Sequence, residues 1–309
     1  MAARKLLIVG ATGQQGRATI AALYAATSNS KDHDLHIFAL TRSISSPSAL
    51  SLLQEYPKIA LVQGDTRNPG PIFQDHPDIA AVFLVTVPRD EEAQAVPLID
   101  AALASGRAVD HIVFSSVDRG GNDTSWDNPT PVPHFAAKHR IELHLRDACE
   151  RADRRMRWTI LRPTGFMDNY QPGTFGSMMA ALWRSGLPAD RKTQLVNTHD
   201  IGVFAARALL DPEQYAGRAV GLAGDDLTFG EGREIFKRVL GKEMPVAWGI
   251  VAKGVLWFVE EARASFEWFD RVGYGVDIPA LRQEEPRLQT FEMWLRESSR
   301  WKDEIASHR

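Results

Sequence analysis

The sequence predicts an α/β protein: a doubly wound parallel sheet with a smaller, mainly helical lobe drawn from the C-terminal half. Three observations carry that reading. Apolar runs of strand length alternate with helix-length segments through the first half of the chain. A glycine triplet joins the first strand to the first helix. Polar or glycine residues also recur at the carboxyl end of each strand, the edge where ligands bind in open α/β sheets.

Lys5 to Val9 is an apolar run that reads as a buried strand. It meets Gly10, Gly13 and Gly16, with Ala11, Thr12, Gln14 and Gln15 between them, and Arg17 to Tyr24 continues as a helix. A tight turn suits Gly10. Close approach of backbone N–H groups to a pyrophosphate needs one position without Cβ, and close helix–sheet packing needs another. The helix N-terminus then offers free N–H groups and partial positive charge to phosphates. In this strand–turn–helix context the triplet reads as a dinucleotide site; a glycine-rich turn without a ligand is the competing reading. The second strand, Asp34 to Leu40, ends in Thr41-Arg42-Ser43. An NAD site places Asp or Glu here against the ribose 2′-hydroxyl, whereas arginine suits a 2′-phosphate. Ser43, Ser45 and Ser46 supply hydroxyl donors. NADP(H) is therefore expected over NAD(H), unless Arg42 is an ordinary solvated loop residue.

Ile59 to Val62 reads as a third strand, followed by Gly64-Asp65-Thr66, a polar turn suited to the adenine side of the site. Ala80 to Val87 is a fourth strand that carries Thr86 at its end, Glu91 to Ser105 a helix, and His111 to Ser116 a fifth strand closed by two serines. Pro133 to Ala152 is a long helix. Trp158 to Leu161 is a sixth strand leading into Arg162-Pro163-Thr164-Gly165-Phe166-Met167. Gly13, Arg42, Asp65, Thr86, Ser116 and Thr164 thus fall at one edge of the sheet. Beyond Pro163 the alternation loosens: a helix at Thr174 to Ser185, a strand at Gln194 to Asn197, a helix at Asp200 to Leu210, and a strand at Arg218 to Ala223 returning to the sheet. The expected division is 1–165 for dinucleotide binding, with 193–225 returning to it, and 166–192 plus 226–309 as a substrate or partner lobe. Its last third is aromatic. From Val255 onward, Val259, Ala262, Phe266 and Phe269 form one stripe at helical spacing, with Trp257 and Trp268 off it. Core packing accounts for most of these rings; the remainder wall an apolar pocket or meet another protein.

Composition narrows the classes. With 309 residues, 44% hydrophobic and 24% charged, the chain has the make-up of a globular protein. A net charge of −3 gives no reason to expect nucleic acid or an anionic membrane as a direct partner. The single cysteine, Cys149, allows no intrachain disulfide and reads as helix packing. No apolar run approaches the roughly 20 residues that span a bilayer. The basic, apolar start resembles a secretion signal only superficially, because its apolar part is the first strand. Cytoplasm is the expected location. The nine histidines are scattered without metal-ligand spacing, so no metal is expected.

Residues suited to chemistry lie in the long helix. His134, Lys138, Ile141, Leu145 and Ala148 share one helical face, apolar at its far end and so expected to look inward. Pro133 suits the first helical position. Lys138 near a positive helix N-terminus is locally unfavourable, and burying it unpaired costs several kcal/mol. Ribose hydroxyls and a reacting carbonyl would supply partners. The alternative is a lysine that snorkels to solvent beside a histidine that caps the turn.

Together these residues resemble the NmrA-like branch of the atypical short-chain dehydrogenases/reductases. Gly10 to Gly16, Thr41-Arg42, Gly64-Asp65, Arg162 to Asn169, Asp200-Ile201-Gly202 and the segment from Gly273-Tyr274 to Trp294-Leu295 carry the likeness over nearly the whole chain. It implies a Rossmann core preferring NADP(H), with Gly10, Thr12, Gly13, Gln14, Gln15, Gly16, Arg42, Ser43, Asp65, Thr66, Thr86, Lys138, Pro163, Thr164 and Phe166 on the cofactor. The wider superfamily uses Tyr-x-x-x-Lys on this helix, with the phenol as general acid. Here His134 stands at the tyrosine position, Lys138 remains, and Ser115 or Ser116 takes the place of the usual serine. Relatives resembling isoflavone reductases keep the lysine and use it in proton transfer; relatives resembling NmrA regulators keep the nucleotide site as a sensor and act on a protein partner. The expectation is a reductase of quinones, enones or imines, with His134, Lys138 and Ser116 as its catalytic residues. A non-catalytic sensor is the alternative.

Overall fold

The computed structural model describes residues 4–28, 35–106, 108–152 and 156–307. Asp34, expected to open the second strand, lies outside them. The chain begins with strand β1 (Arg4–Ile8), helix α1 (Gln14–Ser28), β2 (Leu35–Thr41), α2 (Pro47–Glu55), β3 (Ala60–Gln63), α3 (Gly70–Asp75), β4 (Ile79–Val85), α4 (Glu91–Ala104) and β5 (His111–Ser115). It continues through α5 (Asn122–Asp127), α6 (Pro133–Arg151), β6 (Arg157–Pro163), β7 (Gly165–Phe166), a 3-10 turn at Met167–Tyr170, α7 (Thr174–Gly186), β8 (Thr193–Val196), α8 (Thr198–Leu210), α9 (Pro212–Tyr215), β9 (Arg218–Leu222) and β10 (Asp225–Leu227). Five helices close it: α10 (Phe229–Leu240), α11 (Gly249–Phe258), α12 (Glu260–Arg271), α13 (Ile278–Glu284) and α14 (Phe291–Glu297), followed by the short α15 (Lys302–Ser307).

Seven strands form one sheet in the order β3-β2-β1-β4-β5-β6-β9. The pairs β1–β2, β1–β4, β2–β3, β4–β5 and β5–β6 are all parallel. The order reverses between β1 and β4, the switch point of a doubly wound sheet. Leu6, Leu7 and Ile8 are completely buried, as are Ala81, Val82, Phe83 and Leu84. Consecutive buried residues mean that both faces are covered, which explains the unbroken apolar runs in the sequence. Register sets Val85 opposite Ser115 and Ser115 opposite Leu161. Thr86, Ser116 and Arg162 therefore follow at one level of the carboxyl edge.

Two compact units divide the chain: 1–116, 137–162 and 201–220 make the first, and 117–136, 163–200 and 221–309 the second. This differs from the expected division in three places, the smallest being 163–165, which falls in the second unit. Strand β8 pairs with β7 and β10 in a separate three-stranded sheet, so of the segment 193–225 only 201–220 returns to the first unit. Segment 117–136 joins the second unit, where the buried Asp118 carboxylate accepts from the backbone N–H groups of Gly120, Gly121 and Gly275. Arg119, also buried, caps the carbonyls of Val117, Ser125 and Asn128.

The second unit packs Tyr170, Trp183, Phe236, Phe291, Trp294 and Trp301 into one core. A smaller cluster joins Val117, Val132, Phe135 and Trp268. Here the sequence misplaced a stripe. Trp268 is buried, while Val259 lies between α11 and α12 and is exposed, as is Trp257. The extended dihedrals at Val259 separate the two helices, so a helical period does not carry across it. Among the described residues no helix is long and apolar enough to cross a membrane.

Candidate functional site

The three glycines of the first loop have different neighbours. Gly10 sits at φ +67°, in the left-handed region, and a Cβ there would lie 2.6 Å from Val85 Cγ1. At Gly16 a Cβ would lie 2.3 Å from the Gly10 carbonyl oxygen, so α1 rests directly on the loop. Gly13 is exposed, and its Cβ position meets only the Gly10 oxygen, at 3.3 Å. Its N–H donates to that oxygen at 2.9 Å. Turn, open approach and helix packing thus fall on Gly10, Gly13 and Gly16 respectively, as the motif requires. Thr12 is half-buried and Gln14 exposed. The Gln15 side-chain oxygen accepts from the Ser115 hydroxyl at 2.5 Å, tying the loop to the end of β5. Arg17, on the same helix, is engaged by Glu55 and the Ser48 carbonyl.

At the end of β2, Thr41 Oγ1 donates to the Ser43 carbonyl at 3.1 Å, and Ser46 caps α2 by accepting from the Ala49 N–H. Ser43 Oγ lies 3.2 Å from Ser45 Oγ. Arg42 projects from this ordered turn, exposed and, among the described residues, without a carboxylate partner. At the end of β3, Asp65 accepts from the Arg67 N–H and closes a turn with Asn68, with Thr66 half-buried inside it.

A polar cluster surrounds Lys138. Its Nζ lies 3.0 Å from Glu91 Oε2, donates to Thr86 Oγ1 at 3.1 Å and to the Ser115 carbonyl at 3.3 Å. Thr86 in turn donates its hydroxyl to Glu91 Oε2. The lysine side chain is 12% exposed and that of Glu91 2%. Lys138 is neither snorkelling nor unpaired: the partner that sequence reasoning left to a ligand is a carboxylate of the protein. Glu91 was missed because a carboxylate in the first turn of a helix ordinarily faces water. Glu91 Oε1 and Ser116 Oγ are buried and, among the described residues, have no hydrogen-bond partner.

Helix α6 is fixed behind this site by Arg162 at the end of β6, which reaches Glu142 through two hydrogen bonds, at 3.2 Å and 2.7 Å, in a fully buried pair. Gly202 packs α8 on α1, since a Cβ there would lie 2.4 Å from the Ala18 carbonyl carbon.

The remaining candidates belong to the second unit. His134, in the first turn of α6, has its Nδ1 2.7 Å from Glu261 Oε1. The carboxylate fixes a proton on Nδ1, so exchange with a ligand would run through Nε2. The expectation that His134 and Lys138 share one inward face holds only partly: the fully buried line of the helix runs through Phe135, Ile141, Glu142 and Leu145, and His134 flanks it half-buried. Pro163 is buried, its carbonyl accepting from the Asp118 N–H; Thr164 donates its hydroxyl to the Leu222 carbonyl at 3.1 Å. Phe166 is half-buried in β7 opposite Val196.

The sequence profile of the NmrA-like family matches residues 2–292. A solved structure of NmrA, described as a negative transcriptional regulator in complex with NADP, superposes with a TM-score of 0.70 at 20% identity, covering 100% of this chain and 99% of that one. Another form of NmrA, in complex with NAD, gives 0.69 at 19% identity over 100% and 99%. The Citrobacter sp. triphenylmethane reductase complexed with NADP(H) gives 0.67 at 18% identity over 94% and 98%. At these identities the likeness is one of fold. No curated protein sequence matches the chain.

Proposed function

Because the chain belongs to the NmrA-like family, we propose that its first unit binds NADP(H) and that the protein is an NADPH-dependent reductase of an apolar conjugated small molecule such as a quinone, enone or imine. The residues fit the cofactor. Gly13 leaves the backbone open where a pyrophosphate would approach, while Gly10 and Gly16 fill the cradle beneath it. Arg42, with no carboxylate partner among the described residues, suits a 2′-phosphate, with Ser43 beside it. Asp65 and Thr66 would border the adenine, Lys138 and Thr86 the ribose, and Pro163, Thr164 and Phe166 the nicotinamide end.

Bound NADPH would supply a hydride to an electrophilic carbon, and a proton must follow to complete the reduced product. His134 through Nε2, or a water held by Lys138, is the candidate source, and the Ser116 hydroxyl an orienting donor. The observation that carries the reading is the buried Lys138–Glu91 pair at the carboxyl edge of the sheet. Such pairs contribute little to stability because desolvation offsets their attraction. Unlike the completely buried Arg162–Glu142 pair, this one keeps its lysine 12% exposed at the edge where open α/β sheets bind ligands. A second reading, a non-catalytic NADP(H) sensor acting on a protein partner, draws on the exposed Trp248 and Trp257 of the second unit and on the missing tyrosine.

Titration calorimetry with NADPH and NADH, then NADPH oxidation against quinones, enones and imines, tests both readings. Lys138→Ala should weaken binding and turnover together. His134→Phe should spare binding and lower turnover about 10²–10⁴-fold if the imidazole supplies the proton. Tight NADPH binding without oxidation by any acceptor, together with a protein partner that separates the NADP⁺ and NADPH forms, would replace the reductase by the sensor.

A further inference from the structure

Lys138 has three acceptors around its Nζ, Glu91 Oε2 at 3.0 Å, Thr86 Oγ1 at 3.1 Å and the Ser115 carbonyl at 3.3 Å, and the longest of these contacts is the one a ribose hydroxyl would displace. Thr86 donates its own hydrogen to Glu91, which turns its lone pairs toward the ammonium. Glu91 therefore orients both the lysine and the threonine that the lysine touches. We propose that Glu91 is a positioning residue, which acts through Lys138 to set the affinity of this site for the cofactor's ribose. The proposal rests on the reading above, that NADP(H) binds here.

A purely structural explanation would make Glu91 a helix-terminus carboxylate attracted to the dipole of α4. Its neighbour shows what that looks like: Glu92, in the same turn, pairs on the surface with Arg140, both side chains more than two-fifths exposed. Glu91 instead turns inward, with one carboxylate oxygen on Lys138 and the other buried with no partner among the described residues. The backbone delivers it at a cost. Asp90, immediately before it, is held at φ +52°, a region that only glycine enters freely. The Gln94 side chain braces the turn, accepting from the Val87 N–H and donating to the carbonyls of Val87 and Arg89. A strained turn that feeds a buried carboxylate to one lysine is the pattern of a pre-arranged site.

The test is a double-mutant cycle on NADPH affinity, measured by calorimetry, with melting curves recorded for every variant. Glu91→Gln keeps the shape and removes the charge. It should raise Kd for NADPH by roughly 5–50-fold, the scale of coupling between residues in one hydrogen-bond network. In a Lys138→Met background the same change should have no further effect, because its route to the ribose is gone. Where Glu91→Gln does not fold, Glu91→Asp, which keeps the charge but withdraws it by one methylene, should show the same dependence on Lys138. An equal loss in both backgrounds, or none in either while wild type binds NADPH, overturns the positioning role alone. A wild type that binds no NADPH overturns the cofactor reading and this inference with it.

Discussion

Under the proposed reading the preference for NADP(H) over NAD(H) rests on Arg42, and its surroundings make that testable. Arg17, on the helix that follows the glycine loop, is held by Glu55 at 3.1 Å and by the Ser48 carbonyl. Lys138 is held by Glu91. Both have carboxylate partners in the protein, whereas Arg42 has none among the described residues, which makes it the proposed reader of a 2′-phosphate. A charge-assisted contact of this kind is worth about 1.5–3 kcal/mol, or roughly 10–150-fold in affinity. Arg42→Ala should therefore erase most of the preference for NADPH over NADH and leave NADH binding nearly intact, as measured by calorimetry at fixed ionic strength. Equal losses for both dinucleotides would show that Arg42 reads no phosphate.

At the scale of elements, the first half was legible because strands covered on both faces give uninterrupted apolar runs, as Leu6-Leu7-Ile8 and Ala81 to Leu84 do. Turn signals between them placed five strand ends within one or two residues. The second unit was less legible. Strands of two and three residues, β7 and β10, carry no period, and the break at Val259 leaves no mark in composition. Partners such as Glu91 with Lys138 and Glu142 with Arg162 meet only after folding, so neither spacing nor charge pattern announces them. Strand β5 adds a consequence of the same kind. His111, fully buried, sits with Nε2 2.8 Å from Thr159 Oγ1, and Thr159 gives its own hydrogen to the Tyr215 carbonyl. Nε2 must therefore be the donor. Burial lowers the imidazole to about 4, well below its ordinary value of 6.5. Between those values the unfolded chain binds a proton that the folded chain refuses, so stability falls as pH drops through that window. The loss due to His111 should reach about 2 kcal/mol at pH 5 relative to neutrality. Urea midpoints at pH 7 and 5 check it: His111→Gln should flatten the difference, and an unchanged slope would assign the acid sensitivity elsewhere.

At the scale of the whole molecule, neither unit is a continuous piece of chain. The backbone passes between them after Ser116, Ala136, Arg162, Asp200 and Val220, and two of those crossings fall within strands β6 and β9 of the seven-stranded sheet. A third falls within α6, between His134 and Lys138. A unit threaded this way cannot unfold without pulling on strands and helices that continue into the other, so one cooperative transition is expected rather than two. The tryptophans provide the measurement. Of the eight, only Trp158 belongs to the first unit, so intrinsic fluorescence reports mainly on the second. The proposed glycine-loop site for NADPH lies in the first. Ligand at 100 times its Kd stabilises the folded state by about 2.7 kcal/mol, which for a chain of this size raises the midpoint by about 5 °C. If the units unfold together, the fluorescence midpoint should rise by that amount and match the midpoint from circular dichroism. If NADPH moves the circular-dichroism transition while the tryptophan transition stays in place, the units are energetically separate. In that case a signal from the nucleotide could not reach a partner bound to the second unit through folding stability, which would weaken the sensor reading as well.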